Sequence, residues 1–254
     1  MKLFDLSGRV AVITGTSRGI GRELAHGFAE AGAIVVGCAR SLGRAEQTAA
    51  ELRANGHETL PVQADAATAE GAEALVQAAV GRYGKLDIFV CNAGVNVKKK
   101  AIDVSPQDFD VVIGGNLRSY FLCAQAAARQ FMSQGTGGVI VMNSSNASVA
   151  AFEGLTPYCA AKGGIDMLVR SLAAEWGPER IRVNAFNPGY TNHSMTGEGQ
   201  DHLATASQEI IARTPLRRMA ELREMVGPAL FLASDASSFV TGTILLADGG
   251  WCAL

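Results

Sequence analysis

Long apolar runs are missing from this 254-residue sequence. No segment approaches the roughly 20 uninterrupted apolar residues that a membrane helix needs. In the opening MKLFDLSGRVAVITG, Asp5, Ser7 and Arg9 break up the stretch before a signal-peptide core can form. Paired cysteines are missing too. Cys38, Cys91, Cys123, Cys159 and Cys252 are odd in number, widely spaced and never in a CxxC pair, which argues against a disulfide framework or a cysteine zinc site. The four histidines, His26, His57, His193 and His202, lack ligand spacing, so no metal is expected. An excess of one charge is also absent: 22 basic and 24 acidic residues leave a net charge of −2, with no bulk field to draw the chain onto nucleic acid or lipid. The expectation is a soluble, cytoplasmic protein with buried free thiols and a small-molecule partner.

What is present is material for a core, since 48% of the residues are hydrophobic. The length suits one undivided α/β domain over residues 1–254. Short apolar runs recur as RVAVITG from Arg9, AIVVGCAR from Ala33, LDIFVCNAG from Leu86, GVIVMNSS from Gly138, IRVNAFNPG from Ile181 and TILLADGG from Thr243. A weaker one is ETLPVQAD from Glu58. They are apolar on successive residues, as strands covered on both faces are. Between them come helical patterns: Ile20, Leu24 and Phe28; Ala72, Leu75, Val76 and Ala79; Ile165, Leu168, Leu172 and Trp176. The alternation predicts a doubly wound parallel sheet, whose ligands bind at the carboxyl ends of the strands. The polar stretch 191–219 carries no strand signal and reads as a flap over that site.

The first run ends in TGTSRGIG, from which Gly15, Ser17, Arg18, Gly19, Ile20 and Gly21 form a candidate phosphate cradle. Glycines let backbone approach a pyrophosphate, and the free N–H groups of a following helix attract its charge. The GxxxGxG spacing is not the GxGxxG fingerprint, so the position between strand and helix carries the reading. The second strand ends in CARSLGR, with Arg40 and Ser41 where an acid would favour the bare ribose of NAD(H). Arg40, with Arg18 nearby, suits the extra phosphate of NADP(H), because guanidinium makes paired, charge-assisted bonds to phosphate. NADP(H) is favoured, with NAD(H) as the alternative.

TGTSRGIG, NAG at Asn92 to Gly94, Asn116, Ser145, YCAAK from Tyr158, PG at Pro188 and the closing ADGGW together resemble the short-chain dehydrogenase/reductase family, in order and over nearly the whole chain. The resemblance implies one Rossmann-type domain with a seven-stranded sheet, hydride exchange between an alcohol and a carbonyl, and frequent assembly into homotetramers. It also implies Asp65 and Ala66 beside the adenine, Asn92, Ala93 and Gly94 toward the ribose, and Pro188 and Gly189 bordering the nicotinamide. Asn116, Ser145, Tyr158 and Lys162 match the catalytic positions, with Asn116 placing a water that connects Lys162 to solvent. Three positions depart from the family pattern. Cys91 replaces the first Asn of NNAG, Asn187 stands where a small apolar residue is usual, and His193 stands where a threonine contacts the nicotinamide amide, a role open to Thr191.

A tyrosine exchanges a proton with a substrate oxygen near neutral pH only if its pKa falls by roughly three units, or about 4 kcal/mol. One ammonium about 4 Å away, at an effective dielectric near 20, supplies a comparable energy. Tyr158 is therefore the expected general acid/base, with Lys162 lowering its pKa and holding the cofactor ribose, and Ser145 binding the substrate oxygen. Thr156 is the expected N-cap of their helix, with Pro157 at the first helical position. Small residues Ala160, Ala161, Gly163 and Gly164 are expected to let the helix pack closely. Lys98 to Lys100 read as a solvated basic loop. Asn96, Asn146, Glu153 and Asn192 suit a hydroxylated substrate such as a sugar, polyol or hydroxy acid. The alternative is a dinucleotide-sensing or scaffold protein that uses the same fold without turnover.

Overall fold

Each of the seven apolar runs becomes a strand. In the computed structural model, which describes residues 2–192 and 208–253, these are β1 (Val10–Thr14), β2 (Ile34–Ala39), β3 (Thr59–Gln63), β4 (Ile88–Cys91), β5 (Gly138–Asn143), β6 (Ile181–Pro188) and β7 (Ile244–Ala247). They form one sheet in the order β3-β2-β1-β4-β5-β6-β7, and every adjacent pair is parallel. The chain winds outward from β1 to β3, then returns to lay β4 on the other side of β1. That reversal opens a crevice at the carboxyl ends of β1 and β4.

The helices are α1 (Gly19–Glu30), α2 (Leu42–Ala54), α3 (Ala69–Tyr83), α4 (Pro106–Ile113), α5 (Ser119–Gln134), α6 (Thr156–Trp176), α7 (208–213) and α8 (Val226–Ala233). β1 shows why successive apolar residues were needed. Val10 and Val12 join a core with Leu75, Phe131, Ile165 and Trp176 from α3, α5 and α6, whereas Ala11 and Ile13 join a second core with Leu24, Phe28 and Leu232 from α1 and α8. A polar residue on either face would lose its water without gaining a partner. Among the described residues, no helix is long and apolar enough to cross a membrane.

Two local features set up the site. The chain passes from α4 to α5 through a single π-turn, Gly114–Arg118, without leaving the helical path. Such one-residue insertions in a helix turn a side chain out of register and are frequent at functional positions. α6 begins one residue earlier than the sequence suggests: Leu155 is its N-cap, without a side-chain cap, and Thr156 is already helical. The Cys159 amide closes this first turn on the Leu155 carbonyl at 2.8 Å. In the 191–219 stretch, Thr191 pairs with Ala220 in a parallel bridge and 208–213 is helical. His193, His202 and the rest of 193–207 lie outside the described residues.

Candidate active site

The glycine loop leaves β1 with Gly15 at φ 74° and Gly19 at φ 59°, backbone that side chains other than glycine rarely adopt. Gly21 is required for a different reason. A Cβ there would sit 2.2 Å from the Gly15 carbonyl oxygen and 2.3 Å from Asn92 Nδ2. Gly21→Ala is therefore expected to lower Tm by several degrees and weaken dinucleotide binding at least tenfold, as read by a thermal melt and by quenching of tryptophan fluorescence on titration.

Asn92, at the end of β4, laces three strand ends together. Its Nδ2 donates to the Thr14 carbonyl at 2.8 Å, its backbone N–H donates to Thr14 Oγ1 at 2.9 Å, and its Oδ1 accepts from Asn143 Nδ2 at 2.8 Å. Ala93 donates to the same Thr14 hydroxyl at 2.9 Å. The Asn143 carbonyl in turn accepts from Lys162 Nζ at 2.8 Å and from the Tyr120 hydroxyl at 2.9 Å. One continuous bonded path thus runs from the glycine loop to Lys162. Sequence reading named Asn92 and Lys162 but missed the parts of Thr14 and Asn143, at the ends of β1 and β5, and of Tyr120, in the first turn of α5.

The cradle fits a dinucleotide phosphate. Arg18 at the N-cap of α1 has only donors, so the opening amides of this helix receive no side-chain cap from it. Ser41 makes no cap bond to α2, and Arg40 is exposed without an ion pair among the described residues. Asp65 is exposed at the neighbouring strand end, where its Oδ1 accepts from the Ala67 amide at 3.0 Å, and Ala66 is buried beside it. A set of amides and guanidinium groups with this geometry suits anionic oxygen. Pro188 is buried at the end of β6, and Gly189 donates to the Ala247 carbonyl at 3.1 Å. A Cβ at Gly189 would approach Asp248 Cα to 2.7 Å.

Ser145 caps a 3-10 turn, Asn146–Ser148: its Oγ accepts from the Ala147 amide at 3.1 Å, and its hydroxyl is also bonded to Tyr158. The adjacent Ser144 points away and donates to the Lys162 carbonyl at 3.2 Å, which pins α6 rather than serving a substrate. Tyr158 and Lys162 lie one turn apart, with Nζ 5.4 Å from the Tyr158 ring centre and 5.1 Å from that of Tyr120. Asn116 is wholly buried in the π-turn. Its Nδ2 donates to the Val95 and Val112 carbonyls at 2.8 and 2.7 Å, while its Oδ1 has no partner among the described residues.

Electrostatically the pair differs from the sequence expectation. The nearest partner of Lys162 is a carbonyl, and burial lowers its pKa to about 7, opposed by the Asp166 carboxylate. Burial pushes Tyr158 up to about 12, the Ser145 hydrogen bond opposes this, and the Cys159 thiol adds to it. The low-dielectric pocket taxes each charge separately. The protein alone therefore does not hold Tyr158 near neutrality.

The other named residues divide. A Cβ at Gly164 would crowd Leu117 Cδ2 at 2.8 Å, and Ala161 is buried, whereas Ala160 is exposed. Lys99 pairs with Asp108 at 2.6 Å, and its amide binds the Gly154 carbonyl. Asn192 donates to Glu221 at 2.6 Å. Phe152, Tyr190 and Trp251 form an aromatic cluster, with Phe152 and Tyr190 edge to face at 5.9 Å and the Arg213 guanidinium 4.5 Å above the Trp251 ring. A cavity of about 190 Å³ borders Tyr190, Thr214, Ala220 and Asp248 and contains none of the four catalytic candidates.

Comparison with known proteins decides the family. A family model described as enoyl-(acyl carrier protein) reductase matches residues 15–252. The crystal structure of a short-chain type dehydrogenase/reductase from Mycobacterium marinum superposes with a TM-score of 0.93 at 35% identity, covering 98% of both chains. The chain belongs to the short-chain dehydrogenase/reductase family. Within that family it is 39% identical to 2-dehydro-3-deoxy-D-gluconate 5-dehydrogenase of Dickeya dadantii, over 100% of this chain and 99% of the relative. A gluconate 5-dehydrogenase from Burkholderia cenocepacia, solved with NADP and tartrate, superposes with a TM-score of 0.94 at 36% identity, over 100% of this chain and 98% of the other. The family's doubly wound fold, its glycine loop and its Tyr-Lys spacing are all present in this member.

Proposed function

We propose that this protein is an NADP(H)-dependent dehydrogenase that interconverts an alcohol and a carbonyl on a small hydroxylated substrate, a sugar or sugar acid. The observation that carries the reading is the convergence of Ser145, Tyr158 and Lys162 at one strand end, bonded through Asn143 and Asn92 to the glycine loop. A pure binding module has no use for that set. The named activities of the Dickeya and Burkholderia relatives support the substrate class.

The bound nicotinamide supplies or accepts the hydride at the substrate carbon. Tyr158 gives its phenolic proton to the carbonyl oxygen in reduction and takes the hydroxyl proton in oxidation, while the Ser145 hydroxyl bonds the same oxygen. Lys162 is placed to bind ribose hydroxyls and to stabilise phenolate as an ammonium. The positive charge of an oxidised nicotinamide, when bound, would act on Tyr158 in the same direction as the Lys162 ammonium and against burial. Asn116 Oδ1 is the free acceptor for the proposed water beside Lys162. Arg40, Ser41 and Arg18 would receive the 2′-phosphate, Asp65 and Ala66 the adenine, and Gly189 and Thr191 the nicotinamide side.

Further readings follow from the same site. We take 191–219 as the substrate flap of a single catalytic domain, because its described parts, Ile210 and Met219, pack against Trp251 beside Tyr190. Five free cysteines, three of them buried, suit a reducing cytoplasm. Exposed Phe109, Phe121 and Met132 on α4 and α5 suit burial in a homotetramer.

The deciding experiment mixes NADPH or NADH with a panel of sugar acids, sugars, polyols and apolar ketones, run in both directions, and follows nicotinamide absorbance. Preference for a large apolar ketone over every hydroxylated compound would overturn the substrate class. Arg40→Asp should raise KM for NADP(H) about 10- to 100-fold and move preference toward NAD(H), because it replaces a charge-assisted phosphate contact with repulsion. An unchanged ratio of kcat/KM for the two cofactors would remove Arg40 from phosphate recognition.

A further inference from the structure

Behind the catalytic pair lies a buried polar cluster that the reaction as written does not use. Asn187, at the end of β6, is wholly buried, and its Nδ2 donates to Ser148 Oγ at 2.7 Å and to Asp166 Oδ2 at 3.0 Å. Those two bonds use both protons of the amide. Asp166 is itself only 6% exposed. Asp166 Oδ1 and Asn187 Oδ1 have no partner among the described residues. Well-packed interiors rarely leave two such oxygens in one place, and a cluster kept at that cost calls for a reason beyond packing.

The three members sit on the three elements whose relative placement the chemistry needs. Ser148 closes the 3-10 turn that Ser145 caps. Asp166 lies two turns beyond Tyr158 and one beyond Lys162, on the same face of α6. Asn187 immediately precedes Pro188 and Gly189, the proposed lip of the nicotinamide site. A small apolar residue at position 187 would leave these elements in van der Waals contact only.

We propose that Asn187, with Ser148 and Asp166, is a hydrogen-bonded clamp that fixes the Ser145 turn against the Tyr158–Lys162 helix and the end of β6, making all three positioning residues for hydride transfer. The proposal rests on the dehydrogenase reading above. Its logic is geometric: two bonds of fixed direction from one planar amide define how far a turn and a helix stand from a strand end. Catalytic groups held by loops and helix faces lose rate steeply when displaced by a fraction of an ångström.

The test uses Asn187→Ala, Ser148→Ala, Asp166→Asn and Asp166→Ala, with Tyr158→Phe as the control, in the full-length enzyme. Asn187→Ala and Ser148→Ala should each lower kcat about 10- to 100-fold while the NADPH Kd stays within about threefold. The double variant should be no slower than Asn187→Ala, because both remove the same bond. Asp166→Asn keeps an acceptor oxygen facing Asn187 and should retain most of the activity that Asp166→Ala loses. Ser148→Ala removes one hydroxyl and carries the test should Asn187→Ala fail to fold. A kcat within twofold of wild type in folded Ser148→Ala or Asn187→Ala overturns the clamp, as does equal loss in Asp166→Asn and Asp166→Ala. If Tyr158→Phe turns over normally, the dehydrogenase assignment falls instead.

Discussion

Tyr158→Phe is expected to reduce turnover by about 10²- to 10⁴-fold, the usual worth of a positioned acid/base, with little change in the Kd for NADPH. The substitution removes one oxygen from a side chain that is 8% exposed and whose ring packs with Val112 and Ala147. It leaves no cavity of consequence. What it does remove is the hydroxyl bonded to Ser145, the one phenol placed to exchange a proton with a substrate oxygen there. The neighbouring Tyr120 cannot replace it, since its hydroxyl is committed to the Asn143 carbonyl at 2.9 Å and burial drives its pKa well upward. Steady-state kinetics in both directions, with a fluorescence titration of NADPH, separate the two effects. Near-normal kcat in Tyr158→Phe would sink the assignment of the acid/base, and loss of cofactor binding would show the residue to be structural.

The fold was legible because two-sided burial leaves a plain mark. Runs such as VAVIT and IVVGC must satisfy both faces of a covered sheet, and both became central strands. The catalytic set was legible because Tyr158 and Lys162 share one helix, where a spacing of four fixes their common face. Tertiary arrangements were not legible. Asn143 and Asn92 meet across two strands 51 residues apart in sequence, and nothing local marks the bond. Asp166 was readable in principle, as a carboxylate that continues the 158–162 face of an otherwise apolar helix. Asn187 was visible as a departure from the family pattern, yet its partners are 21 and 39 residues away.

Electrostatics failed for a different reason. A sequence supplies an ammonium near a phenol but not the depth at which both sit. With Lys162 and Tyr158 both buried, desolvation pushes the Tyr158 pKa up and the Lys162 pKa down, each away from its charged form. A dinucleotide held by the glycine loop would have a second role in the proposed mechanism, since the positive charge of its oxidised form would favour phenolate at Tyr158.

Lys162→Met should cost turnover at least about 100-fold and yet stabilise the protein at neutral pH. In the folded protein Lys162 titrates at about 7 rather than 10.5, because burial disfavours the ammonium even with Asp166 nearby. The unfolded chain keeps that proton up to a pH of about 10.5. Between about 7 and about 10.5 the unfolded state thus binds more protons, and stability rises as pH rises. Below about 7 the full cost of the buried charge is present, on the order of 5 kcal/mol as an upper limit. Tyr158 acts in another window: its folded pKa of about 12 lies above its ordinary 10, so its contribution is complete below about 10 and fades between about 10 and about 12. Thermal melts of wild type and Lys162→Met at pH values from about 6 to about 9.5 isolate the lysine. Methionine fills the same space without charge, so the variant should melt about 5 °C higher near pH 6.5, with the gap closing as pH rises. A gap that stays constant with pH would mean that the lysine is not buried as a costly charge. A variant less stable at every pH would mean that Asp166 depends on Lys162 more than burial penalises it.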